Sequence, residues 1–364
     1  MNLIRYFLIF NIIISIFACN NKPNTCDINK LDLIKSDKVL KLKDVFADFE
    51  ILSLDTNGGG AFQNINKLVF HDDRYYIMDK TGKRQILVFD SLGVYQCSIG
   101  NPGKGKGEYI NIEDFTIDEQ NNRIVILAYP STVYTYSLNG KFLFSKKIDE
   151  NTMLWDIINT EKGFICSTNH MTYTEGEHAY LLYFFDKDFK MQSKQINVLP
   201  VQVALPPFVS NSLLKTSANS YFYFDSYTAR AYKINNSTLG GVYELQLDNP
   251  IPINLFADIN GFMDKQMDYD FFMNAINIEN QLLAFYKEGK QIRGFKSKFD
   301  NSLVETFRYD DWVPQLMYQN NGIIYSTINN KFIETNKHIF DTLQLMKVTD
   351  DYQDKILKFR CVLN

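Results

Sequence analysis

The chain repeats itself, and the repeat limits what it can fold into. RYYIMDKTGKRQILVFDSLGVYQCSIG, beginning at Arg74, lines up with RIVILAYPSTVYTYSLNGKFLFSKKI from Arg123 and YFYFDSYTARAYKINNSTLGGVYELQL from Tyr221. Each reads as a strand, a short polar turn, a second strand ending in an aromatic, a turn with Gly or Asn, and a third strand. Side chains alternate within the strands, as Ile86 and Val88 against Leu87 and Phe89, which is the period of a pleated strand. A further strand leads into the first two copies, NINKLVFHDD from Asn64 and INIEDFTIDEQNN from Ile110. MLWDIINTEKG from Met153 opens another copy, and WVPQLMYQNNG from Trp312 opens the last.

Four strands recurring every ~40–50 residues is the signature of a β-propeller blade. Copies begin near Phe62, Glu108, Asn151, Pro207, Phe256 and Asp311. The expected fold is therefore all-β, a six-bladed propeller with four-stranded blades. FADINGFMDKQMDYDFF, from Phe256, has the apolar spacing of a helix and predicts a helical or loop insertion in the fifth blade. FEILSLD, from Phe49, belongs to no copy. It is expected to pair with the C-terminal KILKFRCVL and close the ring, which removes an open sheet edge. The abundance of Tyr (22) and Phe (29) beside only 9 Pro favours strands. A net charge of -4 with no basic stripe excludes a nucleic-acid partner.

GNPGKGKGEY, Gly100 to Tyr109, poses the question of a phosphate cradle. A P-loop needs Ser or Thr after its Lys and a helix behind it. Position 107 is Gly, and the alternating EYINIEDFTID that follows is a strand, so no helix N-terminus faces a phosphate. The stretch instead resembles the inter-blade signature of NHL-repeat propellers. There a Gly-rich loop crosses from the outer strand of one blade to the inner strand of the next. The resemblance implies that Tyr109 plugs the space between blades and that Asp118 caps the following turn. Asp79, Phe89, Asp90 and Gly93 resemble the family's strand–Asp–turn–strand–Phe-Asp-x-x-Gly pattern. Ala128 stands where the second copy would carry the Asp seen at Asp79 and Asp225, so those acids read as turn formers rather than a ring of ligands.

Arg5, an apolar run from Tyr6 to Phe17, and Ala18-Cys19 resemble a bacterial lipobox, with Phe17 bulkier than the usual residue. The whole chain looks like the six-bladed propeller lipoproteins of Bacteroidales. That resemblance implies a signal peptide over 1–18, a lipid-anchored tether over 19–42 attached through Cys19, and a propeller domain over 43–364. It places the protein at the cell envelope, on the outer membrane. The absence of acidic residues just after Cys19 favours the periplasmic face over the cell surface. Cys26, Cys97, Cys166 and Cys361 show no metal spacing, and Cys97 and Cys166 read as buried thiols.

Propeller ligands sit where blade loops converge on the central channel. The candidates for that mouth are Lys104, Lys106 and Glu108 on the Gly loop, Lys83, Arg84 and Arg230 in turns, and Asp114 and Asp156 on innermost strands. Mixed charges there suit a carboxylate on a peptide or an acidic sugar. No catalytic constellation is visible. The leading reading is a binding or scaffolding propeller with a protein or glycan partner. The alternative is a metal-dependent hydrolase or lyase at the channel mouth, using a divalent ion such as Ca²⁺ held by Asp114, Asp156 and Asn211. A metal held by His170, His178, Glu175 and Glu177 fits no usual zinc spacing. A purely structural envelope component is the third reading. Trp155 and Trp312 read as core, or as a sugar-stacking platform.

Overall fold

A computed structural model of the chain describes residues 27–55, 57–149, 152–170, 180–198, 212–217, 219–235, 237–278, 281–310, 318–320, 323–328 and 355–361. Among these the fold is all-β, built from antiparallel four-stranded meanders. The first sheet runs Lys67–His71, Arg74–Asp79, Gln85–Asp90, Tyr95–Ile99, and the second Ile112–Asp118, Arg123–Ala128, Thr132–Ser137, Phe142–Lys147. The third runs Asp156–Thr160, Gly163–Ser167, Tyr180–Asp186, Met191–Asn197, and the fourth Leu213–Ser217, Ser220–Asp225, Arg230–Asn235, Thr238–Leu245. The fifth runs Phe271–Ile278, Gln281–Glu288, Gln291–Ser297, Leu303–Tyr309. The sixth joins Tyr318–Asn320, Ile323–Ile328 and Lys355–Cys361 to Phe46–Ser53 from the other end of the chain.

The leading strands of these sheets touch in cyclic order. Lys67–His71 meets Ile112–Asp118, which meets Asp156–Thr160, then Leu213–Ser217, then Phe271–Ile278. Tyr318–Asn320 meets Lys67–His71, and the last link is Asn277 N–H donating to Gln319 Oε1 at 2.9 Å. This is the arrangement of a β-propeller. It explains why the second strands are apolar without interruption. Ile124 and Ile126 face the first sheet, where they pack with Val88, Ile99 and Tyr109. Val125 and Leu127 face the third, against Phe164, Cys166 and Tyr183. Both faces of a blade are covered, so both need apolar side chains. Cys166 is buried and Cys97 half-buried, both as free thiols.

In the first four sheets the third and fourth strands pair with a register shift, at Val88/Phe89, Thr135/Tyr136, Phe184/Phe185 and Lys233/Ile234. A bulge strengthens local twist and lets the outer strand follow the curvature of the blade. The Asp residues of the repeat form turns. Asp79 accepts from the N–H groups of Gln63, Gly82 and Lys83, and Asp90 from those of Leu92 and Val94.

The N-terminal region departs from a tether running to residue 42. Ile28–Leu40 is a strand. Ile28 to Leu31 pair in parallel with Val242 to Leu245, the outer strand of the fourth sheet. From Asp32 onward the strand pairs in parallel with Leu303–Tyr309, the outer strand of the fifth. The two meanders thereby become one nine-stranded sheet. Leu31 is the one fully buried side chain of the strand, and Lys35 pairs with Asp248 and, at 2.8 Å, with Glu288. Backbone pairing rather than apolar patterning holds this segment, which is why its polar composition reads as tether. Phe46–Ser53 pairs antiparallel with Lys355–Cys361, in register from Asp48↔Arg360 to Ser53↔Lys355, the pairing expected for FEILSLD.

The helix expected near residue 260 is present as Ile259–Lys265, N-capped by Asp258, whose carboxylate accepts from Asn260 N–H. It lies in the connection between the fourth and fifth sheets, ahead of Phe271–Ile278. There Phe256 and Phe262 pack on Tyr227, with ring centroids 5.5 and 5.7 Å away.

The clasp formed by residues 28–40 should be sensitive to burial far more than to charge. Leu31→Ala is expected to cost about 2–5 kcal/mol of stability, and Lys35→Ala, on an exposed pair, no more than about 1 kcal/mol. Denaturant unfolding of the two variants checks the contrast.

Candidate functional site

Buried acids hold the leading strands together. The Asp114 carboxylate pairs with Lys67 Nζ at 2.8 Å and accepts the Ile157 N–H at 2.8 Å, linking the first, second and third sheets. Burial pushes this carboxyl up from its ordinary range against the pull of Lys67, and neighbouring Asp156 pushes it the same way. Asp156 accepts from Ser167 Oγ at 2.7 Å, from Ser212 Oγ at 2.9 Å and from the Asn169 amide. Asn169 Oδ1 in turn accepts from Ser212 Oγ at 2.7 Å and Tyr223 OH at 3.2 Å. The third and fourth sheets are thus joined through one side-chain polar network.

Next to it, His170 Nε2 lies 3.1 Å from Asp225 Oδ2, with both side chains 1% exposed. Asp225 also accepts from Thr228 Oγ1 at 2.6 Å and Tyr227 N–H at 3.1 Å. Burial opposes its charge, but His170 and these donors outweigh burial and hold the carboxyl below its ordinary value. Asn169 and His170 both take positive φ, 46° and 59°, a left-handed backbone in which Asn and His are enriched among non-glycine residues. His170 is therefore part of the buried packing. His178, Glu175, Glu177, Asn211 and Trp312 lie outside the described residues, as do Cys19 and Cys26. Among the described residues no three His, Cys, Asp or Glu side chains are grouped to hold a metal ion.

Of the eight candidate ligand residues, only Asp114 and Asp156 meet at the leading strands, and both already have internal partners. Lys83 Nζ donates to Gly59 O and lies 5.9 Å from the Tyr95 ring centroid. Arg84 Nη1 donates to Ile110 O at 3.2 Å. Arg230 grips Glu244 through Nε at 2.7 Å and Nη2 at 2.6 Å. Trp155 is half-buried, with Lys80 Nζ 4.5 Å over its ring and held by Glu113. One face a sugar would stack on is thus occupied by a cation.

Lys104, Lys106 and Glu108 lie elsewhere, at the rim. The Gly loop is folded on itself: Gly103 N–H donates to Tyr109 O, Glu108 N–H to Gly105 O, and Gly105 N–H to Glu108 Oε2 at 2.7 Å. The Glu108 carboxylate sits where a bound anion would sit, so the loop is no phosphate cradle. Tyr109 is the inter-sheet plug that the NHL resemblance implies. It is buried, donates to Arg84 O at 2.9 Å and meets Tyr134 edge-on at 5.5 Å. Gly100 permits this, since at φ 77° a Cβ there would lie 2.4 Å from the Tyr109 hydroxyl oxygen. Asp118 caps its turn by accepting from Asn121 N–H and pairs with Arg123.

Between this loop and the outer strands of the second sheet runs an open groove of about 510 Å³, lined by Ile110, Tyr129, Tyr134, Phe142 and Leu143. Ile110, Tyr129, Leu143 and Phe144 are each 37–50% exposed. Ile110, Tyr129 and Leu143 lie together along the groove, whereas Phe144 turns toward Phe189. Sequence reading found the loop but not the groove, because Leu143 and Phe144 sit in a strand whose pattern looks like any other outer strand.

The fold is that of a β-propeller, with an open groove beside its second sheet. Residues 25–340 match the family described as a domain of unknown function, DUF4934, and the chain belongs to that family. No curated protein matches the chain. Among solved structures it is similar to a Bacteroides fragilis protein described as exported, at 17% identity with a TM-score of 0.68, covering 93% of this chain and 100% of that one. It also aligns with BamB from Moraxella catarrhalis at 12% identity and a TM-score of 0.39, covering 68% and 59% of the two chains. The WD40 repeats of RRP9 align at 6% identity and a TM-score of 0.48, covering 87% and 98%.

Because Asp225 is held below its ordinary value, its stabilisation is complete above the free carboxyl value near pH ~4 and fades as pH falls further. Asp225→Asn should cost about 3–5 kcal/mol at pH 7, and the gap should narrow as pH falls through the carboxyl's lowered folded value. Thermal unfolding of both proteins across this range would refute the assignment if the gap stayed constant.

Proposed function

We propose that this protein is a six-bladed β-propeller lipoprotein of the cell envelope that holds a protein partner against the rim of its second blade. The observation that carries the reading is the contrast between its two candidate surfaces. At the leading strands the acids, buried Asp114 and half-buried Asp156, are internally paired, which suits packing and gives a substrate nothing to react with. At the rim, Ile110, Tyr129, Leu143 and Phe144 face solvent beside an open groove.

The six-bladed reading is supported by the six meanders, the cyclic contacts of their leading strands and the pairing of Phe46–Ser53 with the other end of the chain. The anchor rests on the apolar run ending at Ala18-Cys19. Acylation of Cys19 would leave residues 20–27 between lipid and the first paired strand at Ile28, a reach of at most ~29 Å. The propeller would then work close to the membrane surface, on the periplasmic face that the residues after Cys19 favour. Protein is preferred to glycan because the groove combines apolar side chains such as Ile110 and Leu143 with lysines, and the Trp155 ring is already engaged by Lys80.

A photo-cross-linking residue in place of Leu143, in cells of the native host, is expected to give a discrete protein adduct. The same residue in place of Leu92, which is 78% exposed on the first sheet, is expected to give none. Identical adducts from both positions, or none from the groove, would reject the reading.

A further inference from the structure

The protein contains its own example of how its outer strands can be covered. Residues 28–40 add as a parallel strand along the outer edges of the fourth and fifth sheets, held by backbone pairing and one buried leucine. The outer strand of the first sheet is flanked by the turn Asn57–Gly59, which packs on Tyr95. The outer strand of the second sheet, Phe142–Lys147, stands at the end of its sheet among the described residues. Five of its six residues are exposed, against three of seven in the corresponding strand of the third sheet. An outer strand carries unpaired N–H and C=O groups, a template for another strand.

Charge indicates the occupant. Lys104 and Lys106 on the loop, Lys141 in the turn, and Lys146 and Lys147 on the strand are all exposed. Glu108 is the one carboxylate among the groove's lining residues, and it is turned into its own loop by Gly105 N–H. The strand also alternates in the way strand addition requires. Ser145 and Lys147 lie opposite Tyr134 and Thr132, which line the groove. Phe144 turns the other way, meeting Phe189 edge-on at 6.2 Å. An added strand would place alternate side chains over the groove.

We propose that an extended acidic segment of the partner polypeptide adds as a strand along Phe142–Lys147, laying an apolar side chain into the groove and its carboxylates among Lys104, Lys106, Lys141 and Lys147, while Lys146 stays turned to Asp188 O on the other face. This rests on the rim-binding reading above and supplies the chemistry of the partner. It uses the same edge pairing that the chain applies to itself at residues 28–40.

The test uses the full chain in detergent and two labelled synthetic peptides of ~8 residues, a strand's length. One alternates Glu with Val and Tyr, and the other places Lys at every Glu. Fluorescence anisotropy is expected to show the acidic peptide binding at least about tenfold more tightly, with an affinity that falls as salt is raised. Lys104→Glu with Lys106→Glu, and separately Leu143→Asp, should each weaken it about tenfold or more without moving the melting temperature. Hydrogen exchange should show residues 142–147 gaining protection when the acidic peptide is added. Equal affinity for both peptides, unchanged binding by the variants, or binding without that protection would overturn strand addition. So would failure of the acidic peptide to bind; a surviving adduct at position 143 would then leave protein binding intact and reject only the acidic strand.

Discussion

A four-stranded meander has two open edges, and the rest of this structure follows from how those edges are disposed. The inner edges turn toward one another around a common centre, where side-chain hydrogen bonds and ion pairs connect them. The outer edges have no such neighbour. At the fourth and fifth sheets the chain covers them with residues 28–40, and at the sixth it supplies the outer strand itself as Phe46–Ser53. Some 26 residues near the N-terminus therefore serve three consecutive sheets. Loss of that pairing exposes backbone groups whose desolvation in the fold is otherwise compensated.

The acids near the centre belong to the same logic. Asp114 reaches Lys67 in one direction and Ile157 N–H in the other, and Asn159 N–H donates to Thr116 Oγ1 at 3.1 Å between the same pair of sheets. Apart from the pairing of residues 28–40 with the fourth and fifth sheets, neighbouring sheets share no backbone ladder among the described residues, so directional contacts near the centre fall to side chains. A carboxylate accepting a main-chain N–H across the gap fixes the register of one blade against the next. This gives the central carboxylates a structural role and shifts attention to the rim for binding.

Much of this was legible in the sequence, and the parts that were not have identifiable reasons. The repeat around Arg74, Arg123 and Tyr221 gave the sheets, since alternation and turn residues are local properties. FEILSLD stood out as a strand without a copy, and its partner was found at the other terminus. Residues 28–40 escaped because their pairing leaves nine of thirteen side chains exposed and buries only Leu31, so no apolar pattern marks them. Position in the fold was harder than element type. Lys83, Arg84, Arg230 and the Gly loop occupy turns at similar places in the repeat, yet their side chains find separate local partners. A sequence register cannot show that Glu108 folds back on Gly105, or that Leu143 and Phe144 stay exposed among the described residues while the outer strands of the fourth and fifth sheets are covered by residues 28–40.

The claim that the chain covers some outer edges and leaves the second sheet open for a partner can be tested on the purified protein by amide hydrogen exchange. Outer strands Val242 to Leu245 and Leu303–Tyr309 should exchange slowly, in one class with residues 28–40. Phe142–Lys147 should exchange fast at the amides that point away from its sheet. If residues 28–40 exchanged like free chain, or if 142–147 were as protected as the covered edges, the account of how this propeller disposes of its edges would be contradicted.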